Sequence, residues 1–242
     1  MKQLRDSMKT ILKRLGENIS AESIRAILKL LESNDTAKFL DVGCGDGKIT
    51  LQAAHTIGTN KIYGIDVVGR TMEKARGNGV DVRSSDLNRQ FPFEDNSFDV
   101  VLASEIIEHL YDTDNFLTEI HRVLRIGGYT IISTPNLSSW PNIIFLLFGK
   151  QPAVASVSDQ IVVNTWHANS DFRTLDEGPS HRRIFTFGAL QGLVEYYGLE
   201  DNIANGLGYF SQSGFISRIM ARLDKYHAAN MVIRAREKLA IK

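Results

Sequence analysis

The chain of 242 residues carries 28 Lys plus Arg against 28 Asp plus Glu, a formal net charge of zero, and 43% of it is hydrophobic. That length suits one large α/β domain with a substantial core, and the neutral balance provides no global attraction to nucleic acid, so no nucleic-acid partner is expected. The single cysteine, Cys44, excludes an intrachain disulfide and a cysteine-based zinc cluster, and with no apolar leader after the basic N-terminus a cytoplasmic location is expected.

Residues 2–15 have a polar helical pattern. A second helix follows, with Ser20 as its N-cap and Ile24, Ile27, Leu28 and Leu31 at helical spacing. These are the N-terminal helices of 1–35. From residue 37, short apolar runs alternate with helical patterns. The runs are Lys38–Val42, Lys61–Ile65, Val80–Arg83, Phe98–Ala103 and Tyr129–Ser133, and the helices are 47–57, 69–76 and 113–124. This alternation predicts an α/β fold, doubly wound, with a mostly parallel sheet and helices on both faces. Ligands of such folds sit at the carboxyl ends of the strands.

The interval 135–180 breaks the rhythm. It holds Pro135, Pro141, Pro152 and Pro179 and an apolar helix candidate at 139–149, and it reads as an insertion, or lid, over the mouth of the site. The segment 140–148 is a lid, a peripheral membrane contact or a dimer contact, so the protein is expected as a monomer or homodimer. Its longest apolar run, Ile143–Phe148, falls far short of the roughly 20 residues that span a bilayer. Regular structure resumes with a helix capped by Thr186, a strand near 199–205, a helix over 214–226 and a last strand near Met231–Ala235. The whole of 1–242 is expected to be one domain.

The first strand runs into Asp41-Val42-Gly43-Cys44-Gly45-Asp46-Gly47 and then a helix. Gly43 and Gly45 let the backbone turn sharply and approach a ligand, and the helix N-terminus offers free N–H groups. Asp41 just before the turn repels a pyrophosphate but suits an ammonium or hydroxyl group. The spacing G-x-G-x-G departs from the dinucleotide fingerprint G-x-G-x-x-G, and no Gly-Lys-Ser/Thr stands in the register of a P-loop. The second strand ends in Asp66, placed to accept ribose hydroxyls or, structurally, to cap the next helix. The third ends in Asp86-Leu87, an acceptor and an apolar wall suited to adenine, or an Asx turn.

Together with these, the string Phe98–Leu110, containing Ser104-Glu105-Ile106-Ile107-Glu108-His109, and Leu124-Arg125-Ile126-Gly127-Gly128-Tyr129 resemble the class I S-adenosylmethionine-dependent methyltransferases. The small-molecule branch with the ubiquinone-biosynthesis O-methyltransferases is the most similar. The resemblance implies a seven-stranded Rossmann-like sheet with one antiparallel member. It implies S-adenosyl-L-methionine as cofactor, held by Asp41, Gly43, Cys44 and Gly45 at its methionine end, Asp66 and Val67 at the ribose, and Asp86 and Leu87 at the adenine. Ser104 and Glu105 then lie beside the transferable methyl group, and a small molecule, probed first as an O-methyl acceptor, receives it by in-line displacement.

On a helical continuation Glu105 shares a face with Glu108 at i+3 and His109 at i+4, which reads as a general-base pair, a partial metal site or a packed helix turn; His109 or His181 is the general base sought for a hydroxyl acceptor, and His181 with Arg182 and Arg183 reads equally as a surface basic cluster. A metal site needs further ligands that the sequence does not place, so no metal is expected. A nicotinamide-dependent oxidoreductase on the same fold and a non-catalytic cofactor-binding module remain the alternatives.

Overall fold

In the computed structural model, residues 21–152, 154–159, 161–162, 173–174, 180–209 and 215–237 are described. Ser20 and the expected helix 2–15 lie outside them, as do 153, 160, 163–172 and 175–179 of the insertion.

Residues 21–30 form α1. Then β1 (Lys38–Val42), α2 (Lys48–Ile57), β2 (Lys61–Asp66), α3 (Gly69–Gly77), β3 (Asp81–Ser84) and β4 (Phe98–Ser104) follow in strict alternation until β4. A single 3-10 turn, Ile107–His109, leads to α4 (Thr113–Val123) and β5 (Leu124–Pro135). The insertion contains α5 (Trp140–Leu147) and two antiparallel strands of two residues each, β6 (Ile161–Val162) and β7 (Arg173–Thr174). The chain closes with α6 (Phe187–Tyr196), β8 (Leu199–Leu207), α7 (Phe215–Leu223), a second 3-10 turn and β9 (Asn230–Glu237).

The sheet has seven strands in the order β3-β2-β1-β4-β5-β9-β8. β1 to β5 pair in parallel, while β9 runs antiparallel to both β5 and β8, which makes it the one reversed strand. Side chains alternate between the two faces. Phe39, Val100, Leu102 and Ile131 pack with Ile27 of α1 and Ala53 and Ile57 of α2. Leu40, Val42, Val101 and Ile132 pack with Phe116 and Ile120 of α4 and Leu190 and Val194 of α6. Both faces are therefore buried, as continuous apolar strands require.

β5 starts five residues before its apolar run. Leu124 pairs with Phe98, a register shift follows, and regular pairing resumes at Val100 with Tyr129. The apolar helix α5 is shorter than the expected 139–149, and Leu146, Leu147 and Phe148 at its end are exposed. Among the described residues no helix is long and apolar enough to cross a membrane.

Asn136 locks the C-terminal elements onto the sheet. Its buried amide donates to the carbonyls of Tyr226 and Ala228, both at 2.8 Å, and its own N–H donates to Ala229 (3.0 Å). Replacing it with Ala strands the Ala228 carbonyl, at a cost of about 1–3 kcal/mol, while the Tyr226 carbonyl keeps its bond from Ser138 Oγ at 2.7 Å. We expect Asn136→Ala to lower unfolding stability by roughly 1–3 kcal/mol, read from the urea midpoint at unchanged m-value.

Candidate functional site

Parallel pairing brings the carboxyl ends of β1, β2 and β4 side by side. The chain leaves β1 through glycines in the left-handed region, Gly43 at φ +83° and Gly45 at φ +53°. They differ in what surrounds them. A Cβ on Gly43 would lie 2.4 Å from Ile106 Cγ1, whereas a Cβ on Gly45 would meet nothing within 4 Å. The first glycine admits the loop after β4, and the second faces open space.

Asp66 at the tip of β2 holds this turn. Its Oδ2 accepts from Gly45 N (2.8 Å), and its Oδ1 accepts from Val67 N (2.7 Å) and Val68 N (2.9 Å). A carboxylate has about four acceptor positions, so about one remains, on Oδ2. The helix-capping alternative is not realised: the N-cap of α3 is Val68, with no side-chain cap bond, and the donors to Oδ1 are the two residues before the helix. Val67 is 61% exposed beside it, an apolar side chain at the surface next to an acid.

Asp41 is buried under the turn and accepts from Thr50 Oγ1 at 2.6 Å. Burial pushes its carboxyl up to about 7; the Thr50 bond opposes this, and the nearby Asp66 adds to it. Cys44 packs its sulfur against Gly64, where a Cβ would meet it at 2.6 Å. Burial, with Asp41 and Asp66 near, pushes the thiol up to about 12, so it stays protonated and serves the turn as packing. Asp86 is exposed and makes the Asx turn: Oδ1 accepts from Asn88 N and Nδ2, both at 2.9 Å, which lowers its pKa. Leu87 is buried in the core.

The end of β4 departs from the helix that sequence spacing suggests. Glu105 sits at φ +53°, uncommon for a residue with a Cβ, and the next turn is a short 3-10 segment. Glu105 and His109 therefore do not share an α-helical face. Hydroxyls on consecutive residues of β5 hold the two carboxyls. Ser133 Oγ donates to Glu105 Oε1 (2.9 Å), and Thr134 Oγ1 donates to Glu108 Oε2 (2.9 Å). Ser104 Oγ is 3.2 Å from Ser133 Oγ. Burial raises the pKa of both glutamates, and the charge of Glu105 raises Glu108 further.

The insertion delivers His181 to the same place. Arg182 N and Arg183 N donate to the Glu108 carbonyl at 2.6 and 3.0 Å, His181 Nδ1 donates to the Val154 carbonyl (3.0 Å), and the rings of His109 and His181 meet edge to face at 5.0 Å. Glu108, His109 and His181 each offer one atom within 4.8 Å of the others. His181 is thus a further ligand that sequence spacing did not place, and this trio suits a shared proton or a divalent cation. Sequence reasoning missed Thr50, Ser133 and Thr134; their only signal was a hydroxyl at a helix or strand position facing an acid.

A family described as a methyltransferase domain matches residues 40–132. The chain is 30% identical over 171 residues to the demethylmenaquinone methyltransferase of Geobacillus stearothermophilus, covering 60% of this chain and 73% of that one. The chain belongs to the S-adenosylmethionine-dependent methyltransferases. A probable S-adenosylmethionine-dependent methyltransferase of Mycolicibacterium smegmatis is 30% identical over 195 residues, 80% of this chain and 61% of that one's length. The solved structure of a Thermotoga maritima SAM-dependent methyltransferase superposes with a TM-score of 0.62 at 19% identity, covering 96% of this chain and 95% of that one, and shares the fold.

The turn of this methyltransferase fits the family's cofactor. The space beside Gly45, which a Cβ would fill, the remaining acceptor position on Asp66 and the exposed Val67 are what a nucleoside with a hydroxylated sugar requires. When bound, S-adenosylmethionine supplies an electrophilic methyl group on a sulfonium.

Asp66→Ala removes both a cofactor acceptor and the tie to Gly45. We expect affinity for S-adenosylhomocysteine, measured by calorimetry, to fall at least about tenfold, about 1.4 kcal/mol, with the circular dichroism spectrum retained. Asp41 predicts a pH effect. Its native pKa lies above the unfolded value of 3.8, so the native state keeps a proton that the unfolded chain releases. Stability is then lost as pH rises from about 4 to about 7. Asp41→Asn should flatten that decline, and urea midpoints across the range for both proteins check it.

Proposed function

We propose that this protein transfers the methyl group of S-adenosylmethionine to a hydroxyl of a small molecule, with the residues after β4 taking the acceptor's proton. One observation carries this reading: two carboxyls, the half-buried Glu105 and the buried Glu108, stand with raised pKa at the strand end next to the glycine turn. A carboxylate moved toward neutrality is a better proton acceptor at physiological pH than an ordinary exposed one. The imidazoles of His109 and His181 adjoin Glu108 and give the proton a way onward.

The resemblance to quinone-pathway enzymes supports a hydroxylated, largely apolar acceptor. The name of the Geobacillus relative, a demethylmenaquinone methyltransferase, supports the apolar ring of such an acceptor and not its hydroxyl. The role of the chain is alignment and exclusion of water. Positioning two reactants is worth about 7–11 kcal/mol at its upper range. Residues 154–159 and 180–183 support a lid reading for the insertion. Ser180 and Arg182 both bond Asp159, Arg182 lies over the ring of Tyr111, and the segment rests on the Glu108 backbone.

The test is a labelled-methyl screen of quinone, phenol, lipid and sugar pools, with products identified by mass spectrometry. We expect label on an oxygen of one small acceptor. Binding of S-adenosylhomocysteine with no transfer to any pool would favour the non-catalytic module instead. With the acceptor in hand, Glu108→Gln should lower kcat by about 10²–10⁴-fold while cofactor affinity stays within about twofold.

A further inference from the structure

A second cavity lies away from the carboxyls. On α1 the residues Glu22, Arg25, Ala26, Lys29 and Leu30 recur at three- and four-residue intervals and so form one stripe. The stripe faces the end of β8 and part of α7 across a cavity of about 190 Å³. Its apolar lining comes from Ala26, Leu30, Leu207 and Ala221, and its cations are Arg25, Lys29 and Arg222. The lining carboxylate, Glu22, is buried and already engaged.

None of these three cations makes an ion pair among the described residues; the one hydrogen bond of Arg25 goes to the Ala21 carbonyl. Most other arginines near acids here are paired: Arg122 with Glu119 and Asp95, Arg125 with Asp99, and Arg234 and Arg236 with Glu32. In a chain of zero net charge, three unpaired cations around one apolar hollow are a local excess. Guanidinium groups match the fork of a carboxylate.

Size and place define the ligand. An apolar cavity of about 150 Å³ takes up benzene, so this one admits a single aromatic ring with a small substituent. β8 is separated from β4 by β9 and β5, three strand spacings of about 4.8 Å or about 14 Å in all. A ligand of that size in the cavity does not reach Glu105 or Glu108. We propose that this cavity is a second small-molecule site, which takes an apolar body of benzoate size bearing a carboxylate. It stands independently of the acceptor assignment.

The full chain is titrated with benzoate and with its neutral counterpart benzamide, followed by two-dimensional amide NMR, with S-adenosylhomocysteine affinity measured in parallel. Saturable benzoate shifts confined to 21–30, 205–208 and 221–222 are expected, with benzamide at least tenfold weaker. The exposed pair Arg25→Ala with Arg222→Ala should weaken benzoate at least tenfold and leave S-adenosylhomocysteine unchanged. Ala26→Phe, which fills the hollow and keeps the cations, should abolish benzoate binding. Equal affinity for the two probes, shifts that do not saturate or are scattered over the surface, or benzoate binding that survives Ala26→Phe would each overturn the proposal. Retained S-adenosylhomocysteine binding in the variants shows that the fold is intact, so none of these outcomes is ascribed to unfolding.

Discussion

The carboxylate of Asp66 is the tie on which the site depends. It accepts three backbone N–H groups from two segments, one from the turn after β1 and two from the chain leaving β2. Parallel strands leave in the same direction and each must turn back at once, so their exits compete for the same volume. Fastening Gly45 to Asp66 sets the glycine turn over its neighbour and leaves Asp41 sealed beneath it. The loop after β4 can then close onto Gly43 through Ile106, because no Cβ stands there.

The pairing of β4 with β5 sets the other half. Ser104 is opposite Ser133 in the register, so their hydroxyls share a face, and Ser133 passes on to Glu105. Thr134, one residue further, turns to the other side and meets Glu108. A two-residue stretch of strand thereby supplies one donor to each of two like-charged groups. Each bond favours the ionised form, yet burial outweighs it, and both carboxyls remain raised. The insertion adds to that burial by laying Arg182 and Arg183 along the Glu108 carbonyl through their backbone N–H groups, leaving their charges elsewhere.

The strands were legible wherever both faces are buried, since such runs are continuously apolar and bounded by turns, as β1 and β4 are. The start of β5 was not, because Ile126-Gly127-Gly128 reads as a turn although Leu124 already pairs with Phe98. Asp41, Asp66 and the glycines could be placed at strand ends by spacing alone. What Asp66 bonds could not, since its donors are backbone groups brought together only by parallel pairing. Glu105 misled for a related reason: Glu-Ile-Ile-Glu-His has the composition of a helix turn, while its left-handed backbone is imposed by the meeting of the loop with Gly43 and Ser133. His181 stands 72 residues after His109, beyond any local pattern, and only the return of the insertion joins them.

The acids also bear on which cofactor this fold accepts. Asp41 is buried and Glu105 half-buried at the strand ends, and desolvation raises both with no cation beside either to offset it. A ligand bringing a pyrophosphate to this place adds negative charge to a cluster that already holds protons to avoid it. A ligand bringing an ammonium and a sulfonium does the opposite: it stabilises the ionised carboxylates and is itself held by them. The exchange is reciprocal by linkage, so a positively charged ligand draws these pKa values down and binds more tightly once the protons have left. The glycine spacing alone argues against a dinucleotide only by pattern. The unpaired acids argue against it by charge, and the same charge explains how a neutral chain holds a cationic cofactor without one strongly acidic surface.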